Sequence, residues 1–444
     1  MTNQDIDCIV IGNEQEKIAE KYLESNLPNE SAVLYFGKAV KRNNGTVLLV
    51  TRLEFPEKGD YTSQTPVFCS IDPMFMAETI ARHSKDGKIL LGIKHAHPMH
   101  GLSSTDMNDA HLYMLKAGFA NFVTGYYFKG KSVFYKHQDG FKEIRRVVVD
   151  TKKMDRQIRS YGIENQMLIS SSKILLVGLG GGGFVLAHYL ATKNYELRFV
   201  DPDVFTESSR NRVWISQNLV DMNKAKATRE MLGDLAEIET YDCKVEDLPD
   251  EVFRTSDVFV IFSDSITSRL FLNQKAIEFG KPAVFLGSEI RSETNDIQLM
   301  MGTCLVYTGK GSPCYNCNLQ IDPNIVQKET LSPKMWKHFA AKYSISEGVP
   351  APSIVELNSI VASIGADQIT RIVTGYAKPV SRQYIDLLNP KIILVNEKVN
   401  ANCLHCSDAR PAETNAKAIS TLKSMLQRFT DSKKSDGGND NGRQ

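Results

Sequence analysis

Cysteine is scarce in this chain: eight in 444 residues, too few for a disulfide scaffold to hold it together. Charge of one sign is also missing. With 53 Lys and Arg against 52 Asp and Glu, the formal charge of +1 gives no reason to expect a nucleic-acid groove or a polybasic membrane contact. No apolar run approaches the ~20 residues of a membrane span, and the opening MTNQDIDCIV lacks a basic segment followed by an apolar one. The expectation is a soluble, cytoplasmic protein that binds neither nucleic acid nor membrane. No internal repeat is present, and the length suits two or three domains with cores of their own.

Within those limits the chain reads as α/β throughout. Residues 1–150 alternate strand-like segments (Ala32 to Phe36, Thr46 to Glu54, Lys88 to Ile93, Val133 to Tyr135) with helical ones (Glu14 to Ser25, Pro73 to His83, Asp106 to Lys116). A polar hinge, Val149 to Lys153, precedes a second domain at 154–410. Residues 411–444 would form one helix, Glu413 to Phe429, and then a disordered tail from Thr430 with almost nothing apolar in it.

The second domain is organised around KILLVGLGGGGFVLAHYLATKNYELRFVDPDVF, Lys173 to Phe205. The apolar run Ile174 to Val177 suits a parallel strand buried on both faces. Gly178, Gly180, Gly181 and Gly183 then fall in a G-x-G-x-x-G turn that opens a helix, whose unpaired N–H groups and partial positive charge attract phosphate. Asp201 and Asp203 close the next strand where a ribose-binding acid belongs. Alone, this pattern is equally that of an NAD-dependent oxidoreductase.

Further residues bear on that choice. A triphosphate on a helix N-terminus needs cations and a carboxylate for magnesium. Asn211, Arg212 and Lys226 follow the acidic pair, and Asp264 closes the apolar strand Val258 to Phe262 at the sheet edge where ligands bind. Taken singly, each Arg or Lys reads as a solvated charge, and Asp264 as a cap for the next helix. Two pairs, Cys314-x-x-Cys317 and Cys403-x-x-Cys406, offer four thiolates for a structural zinc site, with two redox disulfides as the alternative. Cys8, Cys69, Cys243 and Cys304 stand alone and read as buried thiols.

Residues 154 to 408, taken in series, resemble the ThiF/MoeB and ubiquitin-activating-enzyme superfamily. The lead-in Asp155 to Gln166 matches its Arg-Gln opening, and Asp201, Arg212, Lys226 and Asp264-x4-Arg269-x3-Asn273 fall in its order and spacing. The resemblance implies that Gly180 and its neighbours hold the phosphates of ATP, Asp201 the ribose, Arg212 and Lys226 the β and γ phosphates, and Asp264 the Mg2+. Arg156 would reach the neighbouring subunit's site, which implies a homodimer. The implied chemistry is adenylation of a protein's C-terminal carboxylate. Ser209 and Val213 depart from the family, which commonly has Asn and Gln there. So does the stretch between the cysteine pairs: relatives often carry a nucleophilic cysteine just after the first pair, and here none occurs between Cys317 and Cys403. The usual loop thioester is excluded, leaving direct delivery of the adenylate or an ester on Thr330, Ser332, Ser344 or Ser346. The crossover segment is placed at about 318–352.

A separate constellation lies in the first domain. His95 and His97 are two apart after a strand, so they face the same way, and Asp106 stands in the first turn of a following helix. Two His and one Asp make a three-ligand site of the catalytic zinc type, although Ser103-x-x-Asp106 is equally a capping box and the histidines equally surface residues. Together, His95-Ala96-His97-Pro98 and Ser103-Ser104-Thr105-Asp106 resemble the signature of the JAB/MPN (JAMM) metalloprotease family. That resemblance implies His95, His97 and Asp106 as zinc ligands, Glu30 as the base and Ser103 as an oxyanion donor. Only four residues separate Pro98 from Ser103, fewer than the family usually has, and His100 among them reads as exposed.

The sequence therefore predicts a bacterial-type fusion of a JAB/MPN-like metalloprotease with a ThiF-like adenylating enzyme, both acting on one ubiquitin-like protein with a flexible glycine-ended tail. Its cofactors would be ATP, Mg2+ and two Zn2+, one catalytic and one structural, and a ubiquitin-conjugating-enzyme-like protein is a candidate acceptor. Sulfur-carrier adenylation with a processing domain is the alternative.

Overall fold

The computed structural model describes residues 5–97, 121–137, 140–293, 296–317, 352–401, 403 and 405–406. The expected helix Asp106 to Lys116, the residues Ser103 and Asp106, the crossover segment up to residue 351 and the C-terminal helix and tail lie outside them.

The first nine strands are β1 (Ile6–Gly12), β2 (Ala32–Arg42), β3 (Gly45–Glu54), β4 (Tyr61–Thr65), β5 (Phe68–Ile71), β6 (Ile89–Ala96), β7 (Val123–Phe128), β8 (Lys131–His137) and β9 (Phe141–Val149), with helices α1 (Asn13–Ser25) and α2 (Pro73–Lys85). Seven of these strands close into a barrel in the order β1-β3-β2-β6-β7-β8-β9, and β4 and β5 form a separate hairpin. The alternating segments of the sequence thus fold into a barrel with flanking helices. Closure abolishes the unpaired strand edges that an open sheet of this size would expose.

Alternation along β2 assigns its two faces. Val33 and Tyr35 join Ile9, Ile11, Leu48, Val50, Leu91 and Phe134 in one cluster that α1 covers through Ala19 and Leu23. Ala32, Leu34 and Phe36 instead pack with Met76 of α2, Leu90 and Phe122. A third cluster joins Cys8, Val10, Val47, Leu49 and Val149 of the barrel to Met154, Met167 and Leu168 beyond it. The segment after β9 is tied down at this junction, because the Thr151 N–H and hydroxyl both donate to Asn13 Oδ1.

The second part contains α3 (Asp155–Tyr161), α4 (Ile163–Ser170), β10 (Lys173–Val177), α5 (Gly181–Thr192), β11 (Glu196–Val200), α6 (Lys224–Leu232), β12 (Ile238–Tyr241), α7 (Asp250–Thr255), β13 (Val258–Ile261), α8 (Ile266–Glu278), β14 (Ala283–Glu293), β15 (Asp296–Tyr307), α9 (Val355–Thr374), β16 (Arg382–Asp386) and β17 (Lys391–Val395). The sheet order is β12-β11-β10-β13-β14-β15-β16-β17. Strands from β12 to β14 run parallel, and β15 to β17 are antiparallel. Helices cover both faces of the parallel half, which is why β10 is apolar at successive positions: Ile174 and Leu176 enter one core cluster, Leu175 and Val177 the other. The chain leaves β10 toward β11 on one side and returns to β13 on the other, so the loop after β10 sits at the topological switch point, where ligands bind in open α/β sheets.

Candidate functional site

The turn from β10 into α5 uses its glycines for different ends. Gly178 has φ +88, and a Cβ there would lie 2.7 Å from the Phe262 carbonyl oxygen. A Cβ on Gly183 would fall 1.8 Å from the Gly178 carbonyl oxygen, so this position lets the helix start close against the loop. Around Gly180 the space is open. This leaves the loop backbone and the first turn of α5 accessible at the sheet's C-terminal edge, where N–H groups face outward.

Asp201 is buried against this loop, and its carboxylate accepts the Leu179 N–H at 2.6 Å and the Asp203 N–H at 2.9 Å. Burial raises its pKa, with Lys224 at 3.9 Å and the two backbone donors opposing. Asp201 thus shapes the loop, and only its remaining lone pairs are available to a ribose hydroxyl. Asp203 is exposed and pairs with Lys224 at 2.9 Å.

Arg212 reaches the loop from a short 3-10 turn, Glu207–Asn211. Its guanidinium donates to the Ser208 carbonyl at 2.9 Å and to Asn211 Oδ1 at 3.1 Å, while its Cδ lies 3.1 Å from where a Gly181 Cβ would be. Lys226 stands in the first turn of α6, capped by Asn223, and its ammonium meets Asp242 at 2.6 Å. Asp264 is exposed just beyond β13. Ser265 caps α8 by accepting the Ser268 N–H, so a capping role does not account for Asp264. Gly178 to Gly183, Asp201, Asp203, Arg212, Lys226 and Asp264 thus gather along the C-terminal edge of the parallel sheet.

Arg156 does not belong to this group within one chain. It is exposed on α3 and lines a cleft of about 690 Å³ with His188 and Thr192, at the far end of α5 from the glycine loop. Two residues that the motifs did not indicate stand inside the group. Asn358, buried on α9, accepts from the Ser288 hydroxyl at 2.9 Å, donates to the Ser353 hydroxyl at 3.0 Å and lies against Gly181. Its signal was a polar residue on an otherwise apolar helical stripe; Asp242, the partner of Lys226, gave none.

Behind this edge, the thiols of Cys314, Cys317, Cys403 and Cys406 lie within 4.8 Å of one another. Sulfur separations of 3.7 Å for Cys314–Cys403 and 3.9 Å for Cys314–Cys317 match the edge of about 3.8 Å of a tetrahedron with ~2.3 Å metal–sulfur bonds. Cys317 and Cys406 are 3.2 Å apart, well beyond the ~2.05 Å of a disulfide. Burial raises the Cys403 pKa, but N–H groups of His405 and Cys406 outweigh it and hold the thiol below its ordinary value, the form a metal needs. The donor set fits zinc. The adjoining Tyr315 N–H donates to the buried Asn273 at 2.9 Å, tying this knuckle to α8.

The barrel holds the second constellation. His95 pairs with Ala32 across β6 and β2, and the Ala96 N–H donates to the Ser31 carbonyl at 2.9 Å. Continuing this register brings Glu30 beside His97, and period-two alternation puts Glu30, His95 and His97 on one face. All three are buried. The imidazole centroids are 5.5 Å apart, close to the ~5 Å expected of two rings on one zinc. Glu30 is fixed through its backbone, whose N–H donates to Thr65 and whose carbonyl accepts from Gln64. Ser103 and Asp106 lie outside the described residues, among which only the four cysteines group three or more ligand-type side chains.

A doubly wound α/β unit with a glycine turn at its switch point and a four-thiol knuckle is the class these features define. The ThiF family model matches residues 154–417, and the chain belongs to that family. Similar proteins include "Adenylyltransferase and sulfurtransferase MOCS3" of Drosophila ananassae, 29% identical over 182 residues, which are 39% of this chain and 38% of that protein. "Adenylyltransferase and sulfurtransferase MOCS3-1" of Zea mays is 25% identical over 257 residues, 56% of this chain and 49% of that one. The chain thus spans less than half the length of these relatives. Among solved structures, E. coli MccB with ATP is similar at TM-score 0.46 and 19% identity, covering 57% of this chain and 74% of that one. No described helix is long and apolar enough to cross a membrane.

Proposed function

We propose that the chain uses ATP and Mg2+ to adenylate the C-terminal carboxylate of a ubiquitin-like protein. The observation that carries this reading is Arg212 lying against Gly181 at the mouth of the phosphate loop, with Lys226 and Asp264 along the same edge. The loop N–H groups would hold the phosphates, and Arg212 and Lys226 would neutralise charge on the departing pyrophosphate, the main lever in such a transfer. Lys226 would exchange its partner Asp242 for phosphate. Asp264 would hold Mg2+, Asp201 the ribose, and Asp203 and Asn211 would border the nucleotide.

The domain division at 1–150, 154–410 and 411–444 goes with this reading, and the four cysteines would hold a structural zinc. Arg156 lies remote from its own loop and would serve the site of a second copy in a homodimer, as the resemblance implies. With no cysteine between Cys317 and Cys403, the adenylate would pass directly to an acceptor, a ubiquitin-conjugating-enzyme-like protein among the candidates, or to a loop hydroxyl. The chemistry fits the cytoplasm, where ATP and reduced thiols are found.

The barrel would act as a zinc peptidase on the same protein, with Glu30, His95 and His97 on one face and Ser103 and Asp106 completing the site. Zinc there supplies a water acidic enough to ionise near neutral pH. Glu30 would take that water's proton and return it to the leaving amine. Exposing the terminal glycine before activation avoids a futile cycle, which favours maturation over detachment.

ATP–pyrophosphate exchange with candidate ubiquitin-like proteins tests the adenylation. Exchange should depend on the candidate and vanish in Asp264→Ala; retention in that variant sinks the assignment. A C-terminally extended candidate should be cleaved by the unaltered chain and left intact by His97→Ala. A second reading, delivery of the adenylate to a sulfur donor, is favoured by the names of the curated relatives, and capture of the acceptor separates the two.

A further inference from the structure

Arg212 is a long cation on a short turn. Among the described residues its guanidinium bonds the Ser208 carbonyl and Asn211 Oδ1, and both belong to the 3-10 turn Glu207–Asn211 that it ends. Those partners travel with the turn, so they do not hold the side chain against the glycine loop. An arginine left loose has much rotamer freedom to lose on meeting a phosphate, and restraint applied beforehand lowers that cost. The neighbour within reach of its stem is Asn358 of α9. The point where a Gly181 Cβ would stand is 2.5 Å from Asn358 Nδ2, 3.1 Å from Arg212 Cδ and 3.2 Å from Arg212 Cγ. Amide and stem therefore converge over one spot in the first turn of α5.

Asn358 is 2% exposed, on the face of α9 that also buries Leu357 and Val361. A carboxamide in such a place is costly unless it is hydrogen-bonded. Its two ends are held by different elements: Oδ1 accepts from the Ser288 hydroxyl of β14 at 2.9 Å, and Nδ2 donates to the Ser353 hydroxyl, just ahead of α9, at 3.0 Å. An apolar side chain in place of Asn358, with Ser288 and Ser353 replaced by alanine, would fill the stripe without either requirement, so packing alone does not call for the amide. The same reach of β14 also braces the acidic side of this edge. Two residues before Ser288, the Leu286 carbonyl accepts from Arg269, which donates as well to the Ser263 carbonyl at 2.8 Å, next to Asp264.

We propose that Asn358 is the positioning residue for Arg212: held between Ser288 and Ser353, its carboxamide bounds the space over Gly181, confines the arginine stem and aims the guanidinium at the phosphate loop before the nucleotide arrives. This rests on the adenylation reading above, in which Arg212 meets the β and γ phosphates and neutralises charge on the departing pyrophosphate. Asn358 acts through that cation and not on the nucleotide. Its effect is therefore confined to ligands that carry the outer phosphates. AMP, which has the same base, ribose and α-phosphate but nothing for Arg212 to meet, is indifferent to it.

The test measures binding of Mg-ATP and of AMP by titration calorimetry to four full-length chains: unaltered, Asn358→Ala, Arg212→Ala and the double variant. Asn358→Ala should weaken Mg-ATP about tenfold, the effect of one misplaced charged hydrogen bond, and leave AMP within about twofold. The double variant should bind Mg-ATP as Arg212→Ala does, because a residue that acts only through Arg212 has nothing left to position. Equal weakening of Mg-ATP and AMP would mean that the amide merely supports the loop, and losses that multiply in the double variant would mean that it acts independently of Arg212; either result overturns the proposal. Should Asn358→Ala fail to fold, Ser353→Ala frees one end of the amide without opening a cavity in the stripe, and the same comparisons apply. Absence of Mg-ATP binding in the unaltered chain, or full affinity in Arg212→Ala, strikes instead the adenylation reading, and this proposal falls with it.

Discussion

Gly181 and Asn358 are in contact so close that a Cβ on the glycine would stand 2.5 Å from the asparagine amide nitrogen. The amide has little freedom to retreat, because Ser288 and Ser353 hold it from both sides. Gly181→Ala should therefore cost about 1–3 kcal/mol of stability through overpacking. Asn358→Ala in the same chain should recover part of that loss. A double-mutant cycle by denaturant unfolding is the check, and additive effects would mean that the two residues do not meet.

Lys226 and Asp242 form an exposed ion pair, and hydrogen bonding to Lys226 holds the Asp242 carboxyl below its usual range. Exposed pairs contribute little to stability, so the melting temperatures of Lys226→Ala and Asp242→Asn should match the unaltered chain. Their effects on exchange should differ. Lys226→Ala should slow ATP–pyrophosphate exchange by about 10²–10³-fold, as loss of one charge-stabilising donor does. Asp242→Asn, by freeing the ammonium for phosphate, should lower KM for ATP or leave it unchanged. A raised KM in Asp242→Asn would assign that carboxylate a direct role in nucleotide binding.

Inside the barrel, fully buried Lys94 donates to Glu16 at 3.0 Å and to Ser132 at 3.0 Å, and Arg146 reaches the same Glu16 oxygen at 2.6 Å. Burial pushes the Glu16 pKa up, but the two cations outweigh it and hold it below its ordinary 4.5; burial lowers that of Lys94. Both cations are charged throughout the acid range, so the depressed pKa of Glu16 governs acid stability. A depressed folded pKa means stability that is present above the unfolded pKa and lost as pH falls through the folded one. The barrel should therefore lose stability below about pH 4.5. Glu16→Gln should flatten that acid limb and cost about 3–5 kcal/mol, because a buried ammonium loses its counter-charge. Glu16→Gln with Lys94→Met should restore most of the loss. Urea unfolding against pH measures both effects, and an unchanged acid limb in Glu16→Gln would remove this pair from the account.

The parts of this arrangement that local sequence could reveal are those made by neighbours in the chain. Ile174 to Val177 and the glycines after it form strand, turn and helix within twenty residues, and Arg212, Lys226 and Asp264 lie at strand and helix ends where ligands bind. The barrel was not legible in this way. Strand β1 closes it against β9, where Cys8 faces Arg145, and no local pattern encodes a pairing of that sequence separation. Short polar strands such as Tyr61–Thr65 lack the apolar alternation that marks a half-buried strand. The meeting of Glu30 with His95 and His97 depends on the register of β2 against β6, a tertiary fact. Asn358 reaches Gly181 only because α9 packs across α5.

The four-cysteine knuckle is wired to the sheet edge that carries the glycine loop. Tyr315, between the first two cysteines, is held by Asn273 at 2.9 Å. One turn earlier on the same helix, Arg269 donates to the Ser263 carbonyl at 2.8 Å and also to that of Leu286. Ser263 immediately precedes Asp264, so α8 links the cysteine knuckle to the carboxylate proposed above to hold magnesium. Removing the metal should therefore weaken exchange as well as stability, since buried thiolates left without a cation repel one another. Cys403→Ser should lower the zinc content by one ion per chain in elemental analysis, reduce the melting temperature and raise the Mg2+ concentration needed for half-maximal exchange. His97→Ala should leave that magnesium dependence alone. Thiol titration of the unfolded, chelated protein should return all eight cysteines. A return of four would show both pairs oxidised to disulfides, and an unaltered magnesium dependence in Cys403→Ser would confine the knuckle to holding the fold.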